Sequence, residues 1–502
     1  MQKKQTILVV ASLLVVVLSV SLAYFTAQII GKGKDVSVSS ADLKIIFTDS
    51  DGAISGNNIE PGWSDTKTFT VENNSKSEYK YNIVIKDLLN TFVTNGYLQY
   101  KITSTNGGYN MTEFKDVPKS GTATDTILAY SVSIPAGVTQ NYTIEFKYAN
   151  DESVDQSDDM GKKLSGTLFI TEGTEDPNKT LYNQLLADKS TVLTRTDFSK
   201  VLTDNNTNTL YTSTEDSKTV YYFAGNATDN WVKFGKNASN QDLYWRIIRT
   251  NSDGGVRLLY HGTSTTATDT YIGTSAFNTT YNNSMYVGYM YGTSGAQASN
   301  RTNENSSTIK TAIDNWYVSN LEAKGYTKYL STTAVYCNDR EVGSGTYSAT
   351  GSAFYYAAYT RLYTNKTPSY DCATTEDKFT VDTSTGNGKL TYPIALMTAD
   401  EVSFAGGLYG TNAPTWYYKN SANGSSTGST WWWLLSPYYW NGSDADVFLV
   451  DGSSSPGYLS RIDVDDTNGV RPAISLKSCI KYSTGNGSAS DPYTIKETTS
   501  GC

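Results

Sequence analysis

The sequence predicts a multidomain, β-rich protein: an apolar N-terminal helix for export, an all-β antiparallel sandwich, then an α+β domain. Three observations carry this. Over residues 36–172 apolar side chains recur at period two between Gly/Asn/Ser/Pro clusters, the pattern of half-buried antiparallel strands. The composition, with 39 tyrosines, 13% aromatic and only 18% charged residues, suits pleated sheet better than helix. From about Thr219 tryptophan and long Gly/Ser/Thr/Asn loops accumulate around short strands and two helical segments, the mixture of an α+β domain. At 502 residues the chain also exceeds what one hydrophobic core ordinarily serves.

Residues 1–30 read as a signal peptide or signal anchor. Lys3 and Lys4 precede Ile7–Phe25, an uncharged and almost wholly apolar run. As a helix it would span about 28 Å, close to a bilayer core. The two lysines orient the N-terminus to the cytoplasm and the remainder outside. Ser21 and Ala23 are small residues at the −3 and −1 positions of a signal-peptidase site, so cleavage is expected between Ala23 and Tyr24. A retained helix would instead tether the protein to the membrane. Either way the expected location is the extracellular face of the cell membrane, or the medium and cell surface.

The sandwich is expected over 36–172. Leu43, Ile45 and Phe47 alternate, as do Phe69 and Val71, then Tyr79, Tyr81, Ile83 and Ile85, then Tyr142, Ile144, Phe146 and Tyr148. Gly166–Ile170 closes the series. Residues 173–218 read as a linker holding one short helix over Thr180–Asp188, with an Asn/Thr-rich loop at Thr203–Thr209.

The α+β domain is expected over 219–495, with 496–502 as a tail. Trp245–Arg249, a turn at Asn251–Gly255 and Val256–Tyr260 form a hairpin signature. Ser307–Lys324 places Ile309, Ile313, Trp316 and Leu321 on one helical face, with Gly325 as its C-cap. Thr398 and Glu401 make a capping box for a short helix ending near Gly406. Trp431–Ser436 then starts a strand, a hairpin crosses Asp446–Asp465, and Gly469–Leu476 is the closing strand. On a strand Trp431 and Trp433 share one face and Trp432 takes the other, so at least one face is expected to be buried.

Composition excludes several functions. The net charge is −9, and the four lysines of residues 1–34 leave the remainder more acidic still. Such a surface has no footprint for nucleic acid. His261 is the sole histidine, so no zinc site with two histidines exists within one chain. A Ser-His-Asp arrangement would need that residue, which sits at a strand end and reads as structural. Neither a phosphate-binding G-x-x-x-x-G-K-S/T loop nor a dinucleotide fingerprint is present. No enzyme activity is expected.

Cys337, Cys372, Cys479 and Cys502 fit export. None forms a C-x-x-C pair, and disulfides are the expected state. Four cysteines allow three pairings, of which Cys337–Cys372 and Cys479–Cys502 join sequence neighbours.

Two resemblances refine this. Leu22–Thr26, Ala41–Ile45, Ile59-Glu60-Pro61-Gly62, Lys67–Val71 and Asn73-Asn74-Ser75 together resemble the TasA/camelysin family of secreted bacterial proteins. This covers about residues 1–172 and implies a jelly-roll-like sandwich, in some members assembled into matrix fibres. The metalloprotease label of camelysin does not carry over, because no histidine precedes His261. Trp433–Pro437, Asp451-Gly452 and Gly469-Val470-Arg471-Pro472, supported by Tyr222–Gly225, Trp245–Arg249 and Cys337–Arg340, resemble bacterial C-type-lectin-like domains of unknown function. These share a fold with formylglycine-generating enzymes and retroelement-variable proteins. A shared fold transfers no activity.

In the variable proteins the region between Trp433 and Gly469 forms the exposed ligand face, which implies the same here. Its side chains mix large planar rings with short polar groups, the chemistry of an adaptable binding surface. The expected contacts are Tyr438, Tyr439, Trp440, Asn441, Asp444, Asp446, Tyr458, Asp463 and Asp465, facing an extracellular glycan, peptide or protein. No cofactor and no metal ligand set is expected. Calcium is the one candidate, since Asp463, Asp465 and Asp466 before Asn468-Gly469 lie one residue off a calcium loop. Asp204, Asn206 and Asn208 have its opening spacing without its glycine or closing glutamate. The competing class is a fibre subunit, self-assembling through the sandwich, with the C-terminal domain as decoration.

Overall fold

The computed structural model describes residues 36–38, 43–47, 53–55, 59–111, 113–177, 179–267, 270–413, 431–452, 455 and 457–502. The chain divides into two compact units, Met1–Pro177 and Asn178–Cys502. The apolar run Ile7–Phe25 and the Ala23/Tyr24 junction lie outside the described residues. Among those described, no helix is long and apolar enough to cross a membrane.

The first unit is built from two antiparallel sheets. One runs, in spatial order, Val36–Val38, Leu43–Phe47, Ser64–Asn73, Thr139–Tyr148, Leu98–Ser104 and Lys115–Asp116; the other runs Ala53–Ser55, Leu164–Glu172, Tyr79–Asn90 and Ser120–Ile134. Alternation places Phe69, Val71, Tyr142, Ile144, Phe146 and Tyr148 from the first sheet against Tyr81, Ile83, Ile85, Leu168 and Ile170 from the second, in a single core. Phe69 stacks on Tyr142 at 4.8 Å. The hydroxyls of Tyr81 and Tyr142 meet at 2.6 Å, and Tyr81 donates to Gln140 Oε1. This buried trio satisfies its own polar groups, as an interior network must.

The second unit starts earlier than the sequence suggests. The helix Leu181–Asp188 is capped by Thr180, whose Oγ1 accepts from Asn183 N, and buries Leu181 and Leu185 in this unit's core. Thr191–Thr194 pairs in parallel with Thr209–Glu215, which turns back into Lys218–Tyr222. Residues 173–218 are therefore not a linker throughout: 181–218 belong to the sheet and core of this unit. The turn at Asp216-Ser217 has positive φ at both residues (48° and 62°), the geometry of a two-residue hairpin without its usual glycine. That absence, with a polar Asn/Thr loop before it, is why the hairpin is hard to read. The tail 496–502 is also built in: Tyr329 Oη donates to Thr498 O, and Cys502 is bonded to Cys479.

Ten strands form its larger sheet, among them Asp242–Thr250, Val256–Gly262, Ile394–Leu396 and Pro472–Leu476. Pro472–Leu476 is paired on both sides, with Pro472 opposite Leu396. Proline is tolerated there because it is the first residue of the strand. A seven-stranded sheet contains Thr274–Ala276, Val342–Ser344, Phe354–Tyr356, Trp432–Trp440, Ala445–Val450, Leu459–Asp463 and Thr467–Gly469. Trp432 and Trp433 are both buried, so the tryptophan strand is covered on two faces. The helix Thr308–Tyr317 is capped by Ser307 and continues as a π-helical turn over Val318–Glu322, before Gly325 at φ +76°.

Both disulfides join sequence neighbours, Cys337–Cys372 and Cys479–Cys502. Two such bonds fit an oxidising compartment.

Candidate ligand-binding face

The strand Trp432–Trp440 sits inside the seven-stranded sheet, with Phe354–Tyr356 on one side and Ala445–Val450 on the other. Its ladder is irregular between Trp433 and Tyr439, where Pro437 can donate no hydrogen bond. Central placement buries three of the nine expected contacts. Trp440 is 1% exposed and its Nε1 donates to Gly351 O; Tyr438 is 7% exposed. Asp446 is fully buried. As surface contacts these three are corrected: all are interior, because Trp432–Trp440 and Ala445–Val450 are each paired on both edges and these side chains turn into the packed side.

The face itself adds to Tyr439 three tyrosines from outside the hairpin. Tyr355 is paired across the sheet with Tyr439, and the chain after it turns into the helical segments Ala357–Tyr359 and Thr360–Asn365. Residues four apart fall on one side of such a turn, so Tyr355, Tyr359 and Tyr363 line up. Tyr439, Tyr355, Tyr359 and Tyr363 stack in that order, with centroid separations of 5.0, 4.0 and 5.0 Å and interplanar angles of 19–21°. Cations sit at both ends: Arg461 Cζ lies 5.5 Å from the Tyr439 ring and Lys366 Nζ 5.4 Å from the Tyr363 ring. Each contact is worth about 0.5–1 kcal/mol where exposed.

Tyr438 is the hub below. It stacks on Tyr409, meets Tyr359 and Phe448 edge-on, and shares a 2.9 Å hydroxyl contact with Tyr409. Tyr363 is 47% exposed, and Tyr355, Tyr359, Tyr409 and Tyr439 are half-buried. Since the stacked faces cover one another, what the column offers a ligand is its rim of ring edges and phenol hydroxyls.

Charge is arranged beneath the Tyr439 end. Asp446 lies opposite Asp463 across two strands and accepts a hydrogen bond from Arg461 Nη1. Burial, and then the hydrogen bond to Asp463, push the Asp446 carboxyl up to about 8. Asp444 is different. It closes a turn in which Asn441 Oδ1 accepts from the Ser443 and Asp444 amides, and hydrogen bonds from Ser443 and Asn441 hold its carboxyl below the usual range.

The structure thus brings Tyr438, Tyr439, Asp446 and Asp463 together. Trp440, Asn441 and Asp444 lie at the far end of the strand and its turn. Tyr458 Oη is close to Gly410, the neighbour of Tyr409. Asp465 is exposed in the turn after Asp463. The expected contact set lacks Tyr355, Tyr359, Tyr363, Tyr409 and Lys366, which lie outside the hairpin, and Arg461, which lies within it. The signal that could have found the first three is their i, i+4, i+8 spacing. Among the described residues no group of three or more His, Cys, Asp or Glu is placed to hold a metal ion.

A second polar constellation is internal. Glu401 completes the capping box with Thr398 and also accepts from Arg249 Nε and Arg257 Nη1; Arg249 reaches Glu215 as well. Nearby, Arg361 bridges Asp339 and Asp400. The space these groups enclose is about 10 Å³, room for one water and no ligand. His261 is buried edge-on against Trp231. Burial, then the Arg246 and Arg471 charges, hold its imidazole well below its ordinary value.

Residues 269–478, which include the tyrosine face, match a family described as a domain of unknown function, DUF6273. No curated protein matches the chain. Among solved structures, the crystal structure of a ruminal GH26 endo-beta-1,4-mannanase is 16% identical over 28% of this chain and 29% of that chain, with a TM-score of 0.15. The aligned part is under a third of the mannanase, and an overlap so poor carries no argument about fold or activity.

Proposed function

We propose that this is an exported cell-surface protein whose C-terminal unit is a ligand-binding head, with the ligand taken on the tyrosine face. The observation that carries the reading is the cation-capped column Tyr439, Tyr355, Tyr359 and Tyr363, with Tyr363 exposed and the other three half-buried. Rigid, pre-stacked aromatics lose little conformational entropy on binding, and hydroxyl rims supply directional hydrogen bonds. Export is supported by the N-terminal apolar run and by two disulfides. The finer description, a TasA/camelysin-like sandwich carrying a C-type-lectin-like head, rests on motif order in the sequence.

Binding of the ectodomain to arrays of glycans and cell-surface proteins tests this, with and without chelator. A saturable hit is expected, weakened at least tenfold by Tyr359→Ala/Tyr363→Ala, as loss of central aromatic contacts of about 2 kcal/mol implies. A hit that this variant leaves unchanged would remove the ligand from the tyrosine face.

One observation favours the fibre-subunit reading. In the first unit Ser120–Ile134, a 15-residue strand, pairs with Tyr79–Asn90 alone among the described residues, and residues 121–125 are exposed. Such an edge can accept another strand. Concentration-dependent filaments with no saturable ligand would favour it.

A further inference from the structure

We propose that the tyrosine column is a site of oxidative cross-linking, at which a peroxidase-type one-electron oxidant joins Tyr359 to Tyr363 as a dityrosine within one chain. This modification is independent of whether the column binds a ligand.

Three observations single out the pair. Tyr363, at 47% exposed, can meet an oxidant in solvent directly. Its ring stacks on that of Tyr359 at 5.0 Å and 19°, and Tyr359 stacks in turn on Tyr355 at 4.0 Å and 21°. Tyr359 and Tyr363 lie four residues apart in consecutive helical segments, so their side chains leave the backbone on one side and in the same sense. That lays the two rings alongside each other. Stacked tyrosine pairs elsewhere, Tyr211–Tyr222, Tyr317–Tyr392 and Tyr409–Tyr438, have neither partner exposed. Tyr281 is 43% exposed but enters no ring stack among the described residues.

One exposed ring suffices for both oxidations. The first takes an electron from Tyr363 while its hydroxyl proton passes to water. The resulting phenoxyl radical is neutral, so the cations Lys366 and Arg461 at the column ends do not oppose it. Transfer of a hydrogen atom (electron and proton together) from the Tyr359 phenol moves the radical inward at almost no cost, because both partners are the same group. A second oxidation of the restored Tyr363 then puts a radical on each of two neighbouring rings. Their unpaired electrons join in a carbon–carbon bond ortho to the hydroxyls. The hydrogens on those two carbons pass through water to the oxygens and restore both phenols. Hydrogen peroxide, the terminal oxidant, is reduced to water, and the protein loses two hydrogen atoms per cross-link. The two disulfides fit a compartment in which such an oxidant can act.

The test treats the full chain, at low concentration, with a haem peroxidase and hydrogen peroxide, and reads dityrosine fluorescence, intact mass and tryptic peptides. Cleavage after Arg361 separates the two residues, leaving Tyr359 in peptide 341–361 and Tyr363 in peptide 362–366. The cross-link therefore shows as those two peptides joined. Expected are a monomer lighter by two hydrogen atoms, the joined peptide, and loss of both with most of the fluorescence in Tyr363→Phe. Phenylalanine keeps the ring and its stack and removes only the oxidisable hydroxyl. Tyr281→Phe should change none of these readings. Undiminished fluorescence in Tyr363→Phe, cross-links that map to other tyrosines, or covalent dimers in place of the monomer would each overturn the proposal. So would the joined peptide in equal yield from the chain unfolded in guanidinium, since proximity in sequence, and not the stack, would then direct the coupling.

Discussion

Asp446 shows how one residue can couple the candidate face to pH. Its carboxyl is fully buried and raised to about 8, against about 3.9 in an unfolded chain. The folded state keeps a proton that the unfolded state has released, so stability falls as pH rises between those values. The contribution is fully present below about pH 4 and lost once pH passes about 8. His261, buried and neutral, acts oppositely, since unfolding lets it take up a proton below about pH 6.5. Comparing wild type with Asp446→Asn isolates the carboxyl, because His261 is common to both. The urea midpoint of wild type should fall relative to the variant between about pH 5 and 8.5. Parallel curves would show that Asp446 titrates normally.

Among the elements, the six-residue helix Ala399–Phe404 depends most visibly on a single side chain. Thr398 supplies an ordinary cap, and Thr398→Ala should cost about 1 kcal/mol. Glu401 does more, because its carboxylate also neutralises Arg249 and Arg257, themselves buried. Glu401→Gln keeps the shape and removes the charge, leaving two guanidiniums under-compensated in the interior. A loss of about 3–5 kcal/mol is expected, read as a shift in chemical denaturation midpoint. A loss no larger than that of Thr398→Ala would mean the arginines find other partners. The capping box was legible in the sequence because it is local; its two arginine partners, about 150 residues away in sequence, were not. The same division runs through the rest of the fold. Strands such as Thr139–Tyr148 could be read because one face is wet and the residues alternate. Trp440 and Tyr438 could not be placed, because composition says nothing about whether a strand is central or at an edge. The tyrosine column was hidden because it joins two segments distant in the sequence, of which only the Tyr355, Tyr359, Tyr363 spacing is a local signal.

For the whole molecule the asymmetry that matters is covalent. Each unit has its own apolar core, yet both disulfides lie in the second unit, closing separations of 35 and 23 residues. In the chain-entropy view loops of this length stabilise by about 3–4 kcal/mol each, while the first unit receives nothing from them. Calorimetry should therefore resolve two transitions, and reductant should lower one of them by several degrees while leaving the other in place. Cys337→Ser/Cys372→Ser should reproduce part of the larger shift in the absence of reductant. Cys337–Cys372 ties the segment leading into the Asp339 and Arg361 ion pairs to the stretch just beyond the tyrosine turn, so its loss should also loosen the column. Weaker ligand binding in that variant, at a temperature where the unit is still folded, would link the crosslink to the face. Equal displacement of both transitions would instead show that the two units unfold as one, and the energetic independence inferred from their separate cores would be wrong.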